Sequence, residues 1–181
     1  MKIHLFGASG TGVTTLGRAL SARWGLPYFD TDDYFWEPPP VPFTVRRAPE
    51  VRDQLLASHL APHPSWLLGG SSVIAWGEPW RTAFDLVVFL WLPPALRLAR
   101  LRAREHARYG DALRTDPDRH RRFAEFMAWA TGYDDGSSGG SRTLANHEAW
   151  LASLTCPVLQ IRGDTTTEER VRLVGEAVQH P

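Results

Sequence analysis

The sequence predicts an α/β domain in which five parallel strands form one sheet covered by helices on both faces. Three observations predict it. Short apolar runs alternate with helical patterns along the 181 residues, the signature of parallel strands joined by crossover helices. The run Leu86-Val87-Val88-Phe89-Leu90 is unbroken, as a strand buried on both faces requires. A glycine-rich turn, Gly7 to Gly12, links the first strand to the first helix.

The elements follow in order. Ile3 to Phe6 is the first strand. Val13 to Trp24 is a helix, with Leu16, Ala19, Leu20 and Arg23 at helical spacing, stopped by Gly25-Leu26-Pro27. Tyr28-Phe29 is the second strand, ending in Asp30-Thr31-Asp32-Asp33. Residues 34 to 49 read as a loop, with Pro38, Pro39, Pro40, Pro42 and Pro49. Glu50 to Leu60 is helical, with Val51, Leu55, Leu56 and Leu60 on one side. Trp66-Leu67-Leu68 is the third strand, ending in Gly69-Gly70-Ser71-Ser72, and Asp85 to Leu92 contains the fourth. Pro94 to Arg108 is an Arg-rich helix, Pro157 to Ile161 the fifth strand, and Glu168 to Gln179 a closing helix. Gly132 to Ser141 is glycine- and serine-rich and reads as a flexible polar loop, a lid or an exposed connection between helices.

Composition narrows the function. Twenty basic and twenty acidic residues cancel, which argues against a general nucleic-acid coat protein. Nineteen of the basic residues are Arg and only Lys2 is Lys, so phosphate chemistry here falls to Arg, backbone N–H groups and metal. A single cysteine, Cys156, excludes an intramolecular disulfide and a multi-cysteine metal site. No signal peptide and no membrane-length apolar run are visible, so a cytoplasmic protein is expected, with neither membrane nor nucleic acid as partner.

Gly7-Ala8-Ser9-Gly10-Thr11-Gly12-Val13-Thr14 fits the phosphate-loop pattern at every defined position except one, where Val13 stands in place of Lys. Its glycines let backbone N–H groups turn inward toward phosphate oxygens, and the helix N-terminus adds favourable potential for an anion. Thr14 offers a hydroxyl to Mg²⁺, and Thr15 lies next to it. The alternative is a plain glycine turn. Asp30, Asp32 and Asp33 at a strand end beside this loop suit Mg²⁺ and a substrate hydroxyl; otherwise they cap the next turn. Arg97, Arg100, Arg104 and Arg108 share one helix face, and Arg100, Arg104 and Arg108 read either as lid arginines reaching the γ-phosphate or as a solvated surface. Arg52 and Arg142 are candidates for holding an acceptor's anionic group. Gly69 and Gly70 read either as a close approach for substrate or as a tight turn. His4, His147 and Cys156 read as packed structural residues. Trp36, Trp76 and Trp80 lie in loops, where they pack locally or stack on a bound ring.

These residues resemble the P-loop small-molecule and nucleoside-monophosphate kinase superfamily, the adenylate and shikimate kinase group, over nearly the whole chain. Gly7–Thr15, Phe29–Asp33, Asp85–Pro93, Arg97–Gly110 and Leu159–Asp164 together look like bacterial adenylate kinase-like or topology-modulation (FlaR-like) proteins, whose phosphate loop also lacks the Lys. The resemblance implies a P-loop NTPase fold as one domain, with an acceptor-binding region at about 34–64 and a lid region at about 105–150. It implies ATP and Mg²⁺ as cofactors. Gly7, Ser9, Gly10, Thr11, Gly12, Val13, Thr14 and Thr15 would hold the phosphates, with Arg100 and Asp164 also on the nucleotide. Thr14 and Asp30 would hold Mg²⁺. Asp32 would contact the acceptor hydroxyl, Arg104 and Arg108 would act in catalysis, and Asp32, Arg52, Gly69, Gly70 and Arg142 would bind the acceptor. Val13, and a third strand ending in glycine rather than Asp, depart from adenylate kinase. The implied activity is phosphoryl transfer to a small molecule by a monomer or homodimer. The rivals are a regulatory nucleotide-binding protein and a slow ATPase.

Overall fold

The computed structural model describes residues 1–38 and 43–179; the expected turn at Pro39, Pro40 and Pro42 lies outside them. In chain order the elements are β1 (Lys2–Gly7), α1 (Val13–Trp24), β2 (Tyr28–Asp30), α2 (Thr31–Phe35), α3 (Pro49–Leu60), β3 (Trp66–Gly70), β4 (Leu86–Trp91), α4 (Pro94–Tyr109), α5 (Ala112–Thr115), α6 (Pro117–Thr131), α7 (Leu144–Ala152), β5 (Val158–Arg162) and α8 (Thr167–Gln179). A single 3-10 turn spans Glu78–Arg81.

The five strands form one parallel sheet in the order β2-β3-β1-β4-β5. β1 is central, with Ile3 opposite both Leu67 and Leu86. The chain winds to one side of β1 and later to the other, which opens a crevice at its C-terminal end. Gly7 ends β1 at that crevice.

Alternation along the strands builds the two faces. Ile3, Leu5, Leu86, Val88 and Leu90 pack with Leu16 and Leu20 of α1 and Val174 of α8. Phe6, Val87 and Phe89 point the other way, onto Leu56 and Leu60 of α3 and Trp150 and Leu151 of α7. β4 is buried along its apolar run, as its composition predicts. His4 sits in the second face, fully buried and stacked between Phe6 and Phe84 at 5.3 and 4.9 Å. Trp76 is buried and Trp80 packs beside it, so two of the loop tryptophans are core; Trp36 packs edge-on against Phe35 and Phe43.

Two segments differ from the sequence reading. Thr31–Phe35 is a short helix, because Asp30 Oδ1 caps it by accepting from the Asp32 N–H at 3.1 Å. Gly132–Ser141 is anchored at its start rather than free. Tyr133 is buried, and the Asp134 carboxylate accepts from the Trp91 indole at 3.2 Å and from Arg97 at 2.7 Å. A small cluster of Leu101, Met127 and Ala130 joins α4 to α6 behind it.

Candidate functional site

The phosphate-loop candidate curls between β1 and α1. Gly10 and Gly12 have φ of 90° and 95°, a region costly for any side chain with a Cβ. Thr11 pins the curl, donating from both its hydroxyl (2.8 Å) and its N–H (3.1 Å) to the Ala8 carbonyl. Leu16 makes the first intrahelical bond of α1, to Gly12 at 3.0 Å, and no side chain caps the helix. The amides of Val13, Thr14 and Thr15 therefore remain available for an anion. The Val13 side chain turns into the core with Ile3, Leu5 and Leu16, so this position offers its backbone alone.

The two residues expected at the metal meet. Thr14 Oγ1 donates to Asp30 Oδ2 at 3.0 Å, and the Tyr28 hydroxyl donates to the same oxygen at 3.1 Å. A hydroxyl and a carboxylate beside inward-facing amides are hard oxygen donors of the kind Mg²⁺ accepts together with phosphate and water. Among the described residues no group of three or more His, Cys, Asp or Glu is arranged for a metal. Gly69 and Gly70 make room for this turn. A side chain at Gly69 would collide with the Tyr28 ring, and one at Gly70 with Asp30 and Thr31. Their small size is thus already used by the chain itself.

Asp32 and Arg142, from opposite ends of the sequence, face each other electrostatically. Burial and the Asp30 charge push the Asp32 carboxyl above its ordinary range, against the pull of Arg142. Ser71 Oγ lies 3.5 Å from Asp32 Oδ1. The Arg142 guanidinium stands over the Phe35 ring at 5.2 Å and makes no hydrogen bond or ion pair within the described residues. It lines one cleft with Gly7, Ala8, Ser9, Ser72 and His147.

Other predicted arginines are engaged elsewhere. Arg52 is buried, bonds Asp53 at 2.7 Å and lies 4.1 Å over Trp76, outside the cleft lining. Arg100 bonds Asp164 at 2.6 Å, so these two nucleotide candidates meet each other at the rim. Arg104 and Arg108 lean on the buried Glu105 carboxylate at 3.0 and 3.9 Å and do not line the cleft. Glu105 needs counter-charge where it is buried and draws both arginines to itself. The arginines lining the cleft are Arg97 and Arg142.

Sequence reasoning missed three cleft residues. His147, read as structural, is buried with Nε2 3.0 Å from Ser72 Oγ and Nδ1 2.9 Å from the Tyr133 hydroxyl. Nothing in the local sequence ties Ser72, Tyr133 and His147 together. Burial lowers the pKa of His147 to about 3 and that of His4 to about 4. Both bind a proton more readily when unfolded, so the stability they contribute is present above pH 6.5 and lost as pH falls toward these values. Each should remove about 1.4 kcal/mol per pH unit below the unfolded pKa. Chemical unfolding followed from neutral pH downward should show this slope, and a flat profile would contradict it.

Strand order, a glycine turn at the end of the central strand and an Asp turn on the neighbouring side define a domain with the P-loop kinase fold. Among solved structures, shikimate kinase from Bacteroides thetaiotaomicron superposes with a TM-score of 0.55 at 17% identity, covering 99% of this chain and 98% of that one. Shikimate kinase from Acinetobacter baumannii, in complex with shikimate, gives 0.54 at 16% identity, covering 98% and 92%. A gluconokinase from Sinorhizobium meliloti 1021 gives 0.51 at 18%, covering 98% and 92%. No family model matches the chain. The chain is 44% identical over 171 residues to Uncharacterized protein YqaC of Bacillus subtilis (strain 168), covering 94% of this chain and 93% of that protein, and belongs to the YqaC family.

Proposed function

We propose that this protein is a small-molecule kinase that transfers a phosphoryl group from ATP to an acceptor hydroxyl or phosphate. The observation that carries this reading is the contact of Thr14 with Asp30 beside the glycine turn, with Asp32 and Arg142 coupled close by. Structural likeness to shikimate kinase and gluconokinase supports the class, and the likeness to adenylate kinase-like and topology-modulation proteins extends the acceptor panel to nucleoside monophosphates. The region around 34–64 is proposed to receive the acceptor, and that around 105–150 to cover it. Among the described residues no helix is long and apolar enough to cross a membrane.

Magnesium ATP, when bound, supplies the transferable phosphoryl group. The amides of Val13, Thr14 and Thr15 would bind its phosphates, and Thr14 and Asp30 would hold the metal. Asp32, its carboxyl raised by burial, accepts the proton of an acceptor hydroxyl. Arg142, which makes no hydrogen bond among the described residues, holds an anionic group on the acceptor. Most of the rate comes from positioning and charge stabilisation.

Val13, buried in the core, favours a second reading in which nucleotide binds and signals without transfer. Calorimetric titration with ATP and Mg²⁺, followed by ADP release against nucleoside monophosphates, shikimate and other hydroxylated acids, separates the two. The kinase reading expects binding and acceptor-dependent ADP release. Binding with no release on any acceptor selects the regulatory reading, and phosphate release without acceptor selects an ATPase.

A further inference from the structure

We infer that Arg170, on the C-terminal helix α8, gives the phosphate loop the positive charge that Val13 withholds. The inference rests on Gly7–Thr15 being a phosphate site. The Lys of an intact loop reaches the β- and γ-phosphates; here that side chain is valine and packs into the core.

Arg170 is 4% exposed. Its Nη1 donates to the Thr11 carbonyl at 2.7 Å across 159 residues of sequence, and its Nε donates to Thr165 Oγ1 at 2.8 Å. The guanidinium lies against Gly12, where an added Cβ would come within 2.9 Å of Nη1. Both bonded acceptors are uncharged oxygens. Asp164, a carboxylate that feels the Arg170 charge, bonds Arg100 instead. Among the described residues no ion pair includes Arg170.

Arginines of α4 are matched to carboxylates. Arg97 is paired with Asp134, Arg100 with Asp164, and Arg104 and Arg108 with Glu105. Arg142 is unpaired but stands across the cleft, over Phe35. Arg170 is therefore a buried cation in contact with the loop backbone that feels Asp164 and Glu169 but, among the described residues, is ion-paired with neither. Burying such a charge is costly unless an anion offsets it. A phosphate chain on the loop amides offsets it, and the gain grows with the number of phosphate charges. Arg170 acts through Thr11 and Gly12 and through its field, so it is a positioning residue rather than a catalytic one. It also ties α8 to the loop, so the charge keeps its place as nucleotide enters and leaves.

The test is a binding ladder of adenosine, AMP, ADP and ATP, measured on the full chain and on Arg170→Gln and Arg170→Lys, with thermal unfolding of each as a folding control. Arg170→Gln is expected to leave adenosine unaffected and to weaken ATP about tenfold, with ADP and AMP graded between. Arg170→Lys, which keeps the charge, is expected to retain most of the ATP affinity. A loss equal for adenosine and ATP, or no loss, overturns the proposal, because a purely structural role does not scale with phosphate number. Should Arg170→Gln fail to fold, the Nε–H resonance of Arg170 in the unmodified protein, assigned by its absence in Arg170→Lys, decides the matter. ADP is expected to shift it and adenosine to leave it in place; equal responses overturn the proposal. If the unmodified protein binds adenosine and ATP equally, the phosphate-loop reading itself fails, a result distinct from a flat ladder in the variant alone.

Discussion

Asp32→Asn is expected to lower acceptor-dependent ADP release by about 10²- to 10⁴-fold while leaving the affinity for ATP and Mg²⁺ unchanged. The amide keeps the shape of the side chain but removes the proton acceptor. Its neighbour Asp30 makes the contact with Thr14 and caps α2, whereas Asp32 is half-buried, raised in pKa and coupled to Arg142. Asp30→Asn should accordingly fail earlier, in metal-dependent nucleotide binding. Full turnover by Asp32→Asn on a hydroxyl acceptor would remove the proton-acceptor role. Full turnover on a phosphate acceptor alone would identify an acceptor that needs no strong base.

Arg97→Met is expected to destabilise the fold by about 3 kcal/mol, toward the low end for a broken buried pair because Asp134 retains some exposure. For a chain of this size that lowers Tm by roughly 6–12 °C. Arg97 is 1% exposed and holds three residues at the end of α6 and just after it: the Asp134 carboxylate at 2.7 Å, the Ala130 carbonyl at 3.0 Å and the face of Tyr133 at 5.1 Å. The surface pairs of Arg121 with Asp118 and Glu125 are the control, and Arg121→Met should leave Tm almost unchanged. Thermal unfolding of the two variants compares them directly, and equal shifts would show that burial of the Arg97 pair adds nothing. Because Arg142 and His147 follow the Arg97 anchor in sequence, ADP release should fall with Arg97→Met as well.

Much of this architecture is legible locally. The apolar run of β4, the glycine turn after β1 and the helical spacing of α1 each depend on neighbours a few residues away, and the structure places each where its pattern puts it. The Thr14–Asp30 contact joins two motifs at the same end of a parallel sheet, with β3 between their strands. The arginines were less legible. A row of Arg97, Arg100, Arg104 and Arg108 looks uniform in sequence, yet the first is fully buried on Asp134, the second ends on Asp164 and the last two share Glu105.

The sequence by itself determined the α/β class, the position of the phosphate-loop candidate, the Asp turn beside it and the lack of a lysine there. These are consequences of period, glycine placement and residue identity, which act over a few bonds. Tertiary structure alone decided the strand order β2-β3-β1-β4-β5, the union of Ser72, Tyr133 and His147, the facing of Asp32 by Arg142 and the seating of Arg170 on Thr11. The reason is that a charged side chain is long and finds its partner by burial and counter-charge, which are set by whichever distant segment the fold brings alongside.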